Sequence, residues 1–139
     1  MAAAKIIKPS PEDFAMAVAD RDDAVRESFS ALLGGAGYQV DTYHSGHALL
    51  SALPSMRADC LLLEAHLPDI SAPRLLLDIH RTGLKLPSVL MADHALELPD
   101  ISSIEPNPVA LLFRPIQESC LFDAIETALG LSGPQAGRP

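Results

Sequence analysis

The chain has 139 residues, enough for one domain with a real core and too few for two. Hydrophobic residues make up 48% and charged residues 20%, a balance that excludes a disordered chain. A formal net charge of −8 excludes the basic footprint of a direct nucleic-acid binder, and no apolar run approaches the ~18 residues of a membrane span.

Residues 1–12 read as a short arm, because "MAAAKIIKPSPED" lacks the apolar core of a secretory signal. The uncharged run "FAMAVA" (14–19) fits a buried strand. Asp22 or Asp23 then caps a helix in which Val25, Phe29, Leu32 and Leu33 recur at helical spacing, and Gly34, Gly35 and Gly37 stop it. Those glycines follow a helix rather than open one, which argues against a phosphate-binding loop.

"YQVDTY" (38–43) alternates like a strand, and Ser45 caps a short helix over 45–53 that Pro54 closes. His44 and His47, at that turn, read as solvated polar residues. "DCLLLE" (59–64) is the next strand, followed by the turn "LPDIS" and a helix over 72–83 with Gly83 just past its end. "PSVLMA" (87–92) and "VALLF" (109–113) are further strands.

Between them, 93–108 must cross the sheet, but Pro99, Pro106 and Pro108 predict a short or distorted helix. Asn107 is expected in a left-handed turn. A last amphipathic helix, 117–130, carries Leu121, Ile125 and Leu129 in its stripe, with Phe122 and Ala128 beside it. The domain is thus expected over 13–131, with 132–139 a disordered tail or linker stub. Cys60 and Cys120, isolated from each other, read as reduced packing residues of a cytoplasmic protein.

Alternating strands and helices predict a doubly wound α/β fold with a parallel sheet covered on both faces. Such sheets act at the carboxyl ends of their strands, which here are Asp20, Tyr43, Glu64, Ala92 and Arg114.

Four stretches stand at these ends: "VADRDDAVR", "LLLEAHLPDIS", "PSVLMADH" and "LLFRPI". Their key positions are separated by 44, 28 and 22 residues, counting Asp20 to Glu64, Glu64 to Ala92 and Ala92 to Arg114. Over about residues 14–130 the pattern resembles the receiver domain of bacterial two-component response regulators. The resemblance implies a flavodoxin-like five-stranded sheet of order 2-1-3-4-5 that takes a phosphoryl group from a histidine kinase. In that chemistry an Asp carboxylate attacks phosphorus, and Mg²⁺ held by two acids neutralises the transferring oxygens. A Lys after the fifth strand and a Ser/Thr hydroxyl after the fourth grip those oxygens, and the hydroxyl is coupled to an aromatic residue on the fifth.

Mapped onto that pattern, this chain departs at nearly every position. The acidic pair becomes Asp20–Arg21, and Glu64 stands at the phosphoacceptor position. Ala92 replaces the hydroxyl, Arg114 the lysine, and Leu111 the switch aromatic.

Three readings of Glu64 compete. As a nucleophile it is displaced by more than ~1 Å relative to Asp, and such misplacement costs about 100-fold in rate. As a phosphate mimic it brings one charge where a phosphoryl group brings about −1.5 to −2, and Ala92 offers nothing to pull. As a structural acid it pairs, together with Asp20, with Arg21 and Arg114, so that the cleft is neutral without metal. The third is the reading adopted.

His66 and His94 share this rim and are the only weak metal candidates; no metal and no cofactor is expected. The expected role is a phosphorylation-independent, non-enzymatic pseudo-receiver. It would bind a protein partner or itself through the last strand and helix, with neither nucleic acid nor membrane touched directly, and act on transcription through an output domain. The alternatives are a conventional receiver phosphorylated at Asp20 and a metal-dependent phosphoryl-transfer enzyme.

Overall fold

In the computed structural model, which describes residues 9–93 and 104–131, five short segments form one parallel sheet. The strands are β1 (Ala15–Ala19), β2 (Gln39–Tyr43), β3 (Cys60–Glu64), β4 (Ser88–Ala92) and β5 (Ala110–Phe113). Their order is β2-β1-β3-β4-β5, the doubly wound arrangement expected. Among the described residues, four α-helices connect or follow them: α1 (Asp23–Gly35), α2 (Gly46–Ala52), α3 (Ala72–Arg81) and α4 (Glu118–Leu129).

Every residue of β1, β3 and β4 is buried, which explains why these three read as apolar runs, with polar residues only at the end of β3 (Glu64) and the start of β4 (Ser88). The edge strands β2 and β5 are half-exposed, so coverage on both faces holds for the centre of the sheet only. Strand alternation divides the core in two. Ala17, Ala19, Leu61, Leu63, Leu90 and Ala92 face α2 and α3, where Leu49, Leu75, Leu76 and Ile79 meet them. Met16, Val18, Cys60, Leu62, Val89 and Met91 face α1 and α4, against Phe29, Leu33, Leu121 and Ile125.

The helix caps follow the sequence. Asp22 accepts from the Ala24 and Val25 N–H groups, Ser45 from Ala48 and Ser71 from Arg74. Three expectations are corrected. Gly34 and Gly35 lie inside α1, and only Gly37, at φ +104°, turns the chain toward β2. Asn107 has no positive φ; the Glu105–Pro106 peptide before it is cis. Cys120 is exposed, whereas Cys60 is fully buried, its thiol pushed up to about 12 by burial and then by Asp59, which makes it inert.

Residues 94–103 of the expected short or distorted helix lie outside the described residues, and the described part, 104–108, is not helical. The tail 132–139 and the first eight residues also lie outside them. Pro11–Asp13 forms a single helical turn whose Glu12 carbonyl accepts from the Gln39 side chain at 3.2 Å. Among the described residues no helix is long and apolar enough to cross a membrane.

The entry to α2 is a tight joint. Asp69, from the turn after β3, accepts from the N–H groups of Gly46 at 3.0 Å and His47 at 2.8 Å. A Cβ at position 46 would stand 2.1 Å from Ile70 Cγ2, too close without moving that turn. Gly46→Ala is expected to cost about 1–3 kcal/mol by overpacking, outweighing the smaller helix-propensity gain. A thermal melt checks this: the midpoint falls by several degrees, and an unchanged or raised midpoint refutes the account.

Candidate functional site at the carboxyl ends of the strands

Parallel pairing places Ala19 of β1 opposite Leu63 of β3. The next residues, Asp20 and Glu64, therefore leave neighbouring strands side by side. Both are buried, at 1% and 4% exposure. Like charges so placed each need a cation or hydrogen-bond donors of their own.

Each has found both. Glu64 Oε2 accepts the Arg21 backbone N–H at 2.8 Å, and its Oε1 is paired with Arg21 Nε. The same guanidinium donates through Nη2 to the His66 carbonyl, joining the β1–α1 loop to the β3–α3 turn. Asp20 Oδ1 accepts the Asp22 N–H at 3.0 Å, and Oδ2 accepts Arg114 Nη2 at 2.5 Å. Arg114 Nη1 also lies 3.5 Å from Asp93 Oδ1, at the end of β4. Arg26 Nη1 donates to the Asp20 carbonyl at 2.6 Å, holding the first turn of α1 to the same corner.

The expected cluster of Asp20, Arg21, Glu64 and Arg114 is therefore brought together. Ala92 ends β4 with its methyl in the core on the α2–α3 side. Its carbonyl accepts the Arg114 N–H at 2.9 Å, which sets where Arg114 begins. Leu111 pairs with Leu90 across β4–β5 and packs, half-buried, on the same core. His66 enters through its backbone carbonyl, and His94 lies outside the described residues. Among the described residues, no three His, Cys, Asp or Glu side chains are gathered to hold a metal ion.

Sequence reasoning missed Asp93, the His66 carbonyl and Asp69. Asp93 follows strand four directly and Asp69 is the acid of the "LPDIS" turn, so both had a positional signal. A carbonyl partner has none.

Burial pushes the Asp20 carboxyl up to about 6, and the neighbouring Glu64 adds to it; the Asp22 N–H and Arg114 pull the other way and are outweighed. Glu64 in turn holds the Arg21 guanidinium still more firmly protonated.

The sign of the resulting pH dependence follows from linkage. Between the unfolded value of 3.8 and about 6, the folded state binds a proton that the unfolded state has released. The Asp20 contribution to stability thus falls as pH rises through that window and stays low above it. Asp20→Asn is expected to remove this slope, gaining stability relative to the native chain by a few kcal/mol from pH 4 to pH 7. Urea denaturation at several pH values reads the difference, and parallel profiles would refute the assignment.

The family model described as the response regulator receiver domain matches residues 16–126. Among curated proteins none matches the chain. Among solved structures, full-length FixJ from B. japonicum is 26% identical with a TM-score of 0.77, covering 88% of this chain and 61% of its own. The response regulator StyR is 28% identical with a TM-score of 0.73, over 84% of this chain and 59% of its own. The signal receiver domain of an HD domain-containing protein from Pseudomonas fluorescens shares the fold at 22% identity, TM-score 0.72, covering 87% and 95% of the two chains. With the match spanning most of the domain and the sheet in the same order, the chain belongs to the response regulator receiver domain family.

Proposed function

We propose that this receiver domain works without phosphorylation, as a protein-interaction or dimerisation module in response-regulator signalling. The observation that carries the reading is the Arg21 guanidinium lying on Glu64 and on the His66 carbonyl. A fixed cation there takes up the acid that would otherwise act as nucleophile.

The donor set does not fit the Mg²⁺ that the family's chemistry implies. A hard dication asks for several free oxygens. Here both Glu64 oxygens are used by Arg21 and both Asp20 oxygens by Arg114 and the Asp22 N–H. Arg21 itself places positive charge where a second acid would stand. With Ala92 and Leu111 at the hydroxyl and aromatic positions, a phosphoryl group would also lack the usual lever.

The same geometry weighs against phosphorylation at Asp20, whose carboxylate is 1% exposed and clasped from two sides. An enzyme of phosphoryl transfer is disfavoured for the same reasons. Partner binding through the last strand and helix is supported by the exposed edge of β5, where Val109 and Phe113 are 40% and 42% exposed. FixJ and StyR, of which this chain spans about three fifths, extend well beyond the matched part. Control of transcription through an output domain is a further part of the proposal.

Intact mass after incubation with a small phosphodonor and Mg²⁺ tests it, run beside the double variant Arg21→Asp/Glu64→Asp. The native chain is expected to stay unmodified, and an adduct on the variant supports the mapping of the site. A stoichiometric adduct on the native chain, at Asp20 or Glu64, would return the protein to the ordinary phosphorelay.

A further inference from the structure

The opposite end of the sheet, at the amino ends of β3 and β4, carries a feature that the carboxyl-end site does not use. Gly83, at φ +91°, ends α3 with its N–H on the His80 carbonyl at 3.0 Å. This reversal sends Leu84 across the end of the helix, where it is 40% exposed. Leu84 walls two apolar clefts at once. One, of about 320 Å³, is lined by Leu61, Leu76, Ile79, Leu86, Pro87 and Pro106. The other, of about 370 Å³, is lined by Leu50, Leu53, Pro54 and Thr82.

The charge around this ridge runs against that of the whole chain. Between Asp78 and Asp93 the sequence holds no acid, while His80, Arg81 and Lys85 are all exposed; His80 and Lys85 line the first cleft, and Pro106, which also lines it, follows the exposed Glu105. Elsewhere the described cations are neutralised within the fold: Arg21 on Glu64, Arg26 on Asp23, Arg57 on Asp59, Arg74 on Asp78, Arg114 on Asp20. Among the described residues, Arg81 and Lys85 are the two cations left without an ion pair. In a chain of net charge −8, an unpaired basic stretch on the α3–β4 side of an apolar groove favours an acidic occupant with apolar anchors. Two apolar clefts that share one leucine wall suit the successive apolar side chains of an amphipathic polypeptide better than one compact small molecule.

We infer that the α3–β4 end docks an acidic amphipathic helical segment of a partner protein. Its Leu or Ile residues would enter the clefts beside Leu84, and its carboxylates would face Arg81 and Lys85. This surface lies at the far end of the strands from Asp20 and Glu64, so the inference stands whether or not the domain is phosphorylated.

The test is fluorescence anisotropy with the full chain and a labelled helical peptide of roughly 18 residues, Leu on one face and Glu elsewhere. A scrambled peptide of the same composition is the control. The amphipathic peptide is expected to bind more tightly than the scrambled one by about tenfold or more, and to weaken as salt is raised. Arg81→Glu/Lys85→Glu and, separately, Leu84→Asp should each weaken it by about tenfold. All three positions are exposed, and unchanged thermal melts would establish that the variants remain folded. Equal affinity for the scrambled peptide, indifference to the substitutions, or no binding overturns the inference. So does concentration-dependent self-association abolished by Leu84→Asp, which would make a second copy of the chain the occupant.

Discussion

Two buried carboxylates leave adjacent parallel strands side by side, and the carboxyl end of the sheet is organised around that fact. Strand spacing sets their backbones about 5 Å apart, and unit charges at that separation would repel by roughly 3 kcal/mol at an effective dielectric of about 20. The chain relieves it with two guanidiniums of its own. Arg21 serves Glu64 from the β1–α1 loop, and Arg114 serves Asp20 from beyond β5. Each reaches a second loop as well, the His66 carbonyl in one case and Asp93 in the other. Loops after β1, β3, β4 and β5 are thus held by two forked cations, whose planar geometry suits such bridging better than an ammonium would.

A covalently attached cation differs from a bound metal in one decisive respect: it does not dissociate. In the proposed role, neutralisation at this end does not depend on a metal concentration. Under the proposed phosphorylation-independent role, input to the domain has to come through contacts on its surface rather than through chemistry in the cleft. The half-exposed β5 edge and the basic, apolar α3–β4 end are where such contacts have material to work with. A ligand acting there shifts the domain only as far as its affinities for two arrangements differ.

Much of this was legible in the sequence because the signals were local. Strands β1, β3 and β4 read correctly since burial on both faces leaves no polar residue to interrupt them. The caps at Asp22, Ser45 and Ser71 announced their helices by side-chain chemistry. Fixed spacing between strand ends brought Asp20, Arg21, Glu64 and Arg114 together before any coordinates did. What failed depended on backbone geometry or on what lay outside a window. Gly34 and Gly35 continue α1 because the turn needs a left-handed residue only at position 37. Cys120 sits in an amphipathic helix but on its wet side, one residue before the buried Leu121. The His66 carbonyl has no side-chain signature, and the tie from Arg21 to it was therefore invisible.

Ala92 and Leu111, read under the proposed role as altered switch positions, also have a packing consequence. Ala92 and Leu111 belong to the apolar core on the α2–α3 side, where Leu63, Leu90 and Ile104 are buried. A hydroxyl at position 92 would have to find a partner there or be buried unsatisfied, at a cost of about 1–3 kcal/mol. A larger aromatic at 111 would have to displace neighbours that already fill the space or turn outward beside Phe113. Ala92 and Leu111 thus help complete this half of the core. Restoring a single position would meet the packing of the rest, so the site is held in its present form by the core as much as by its charges.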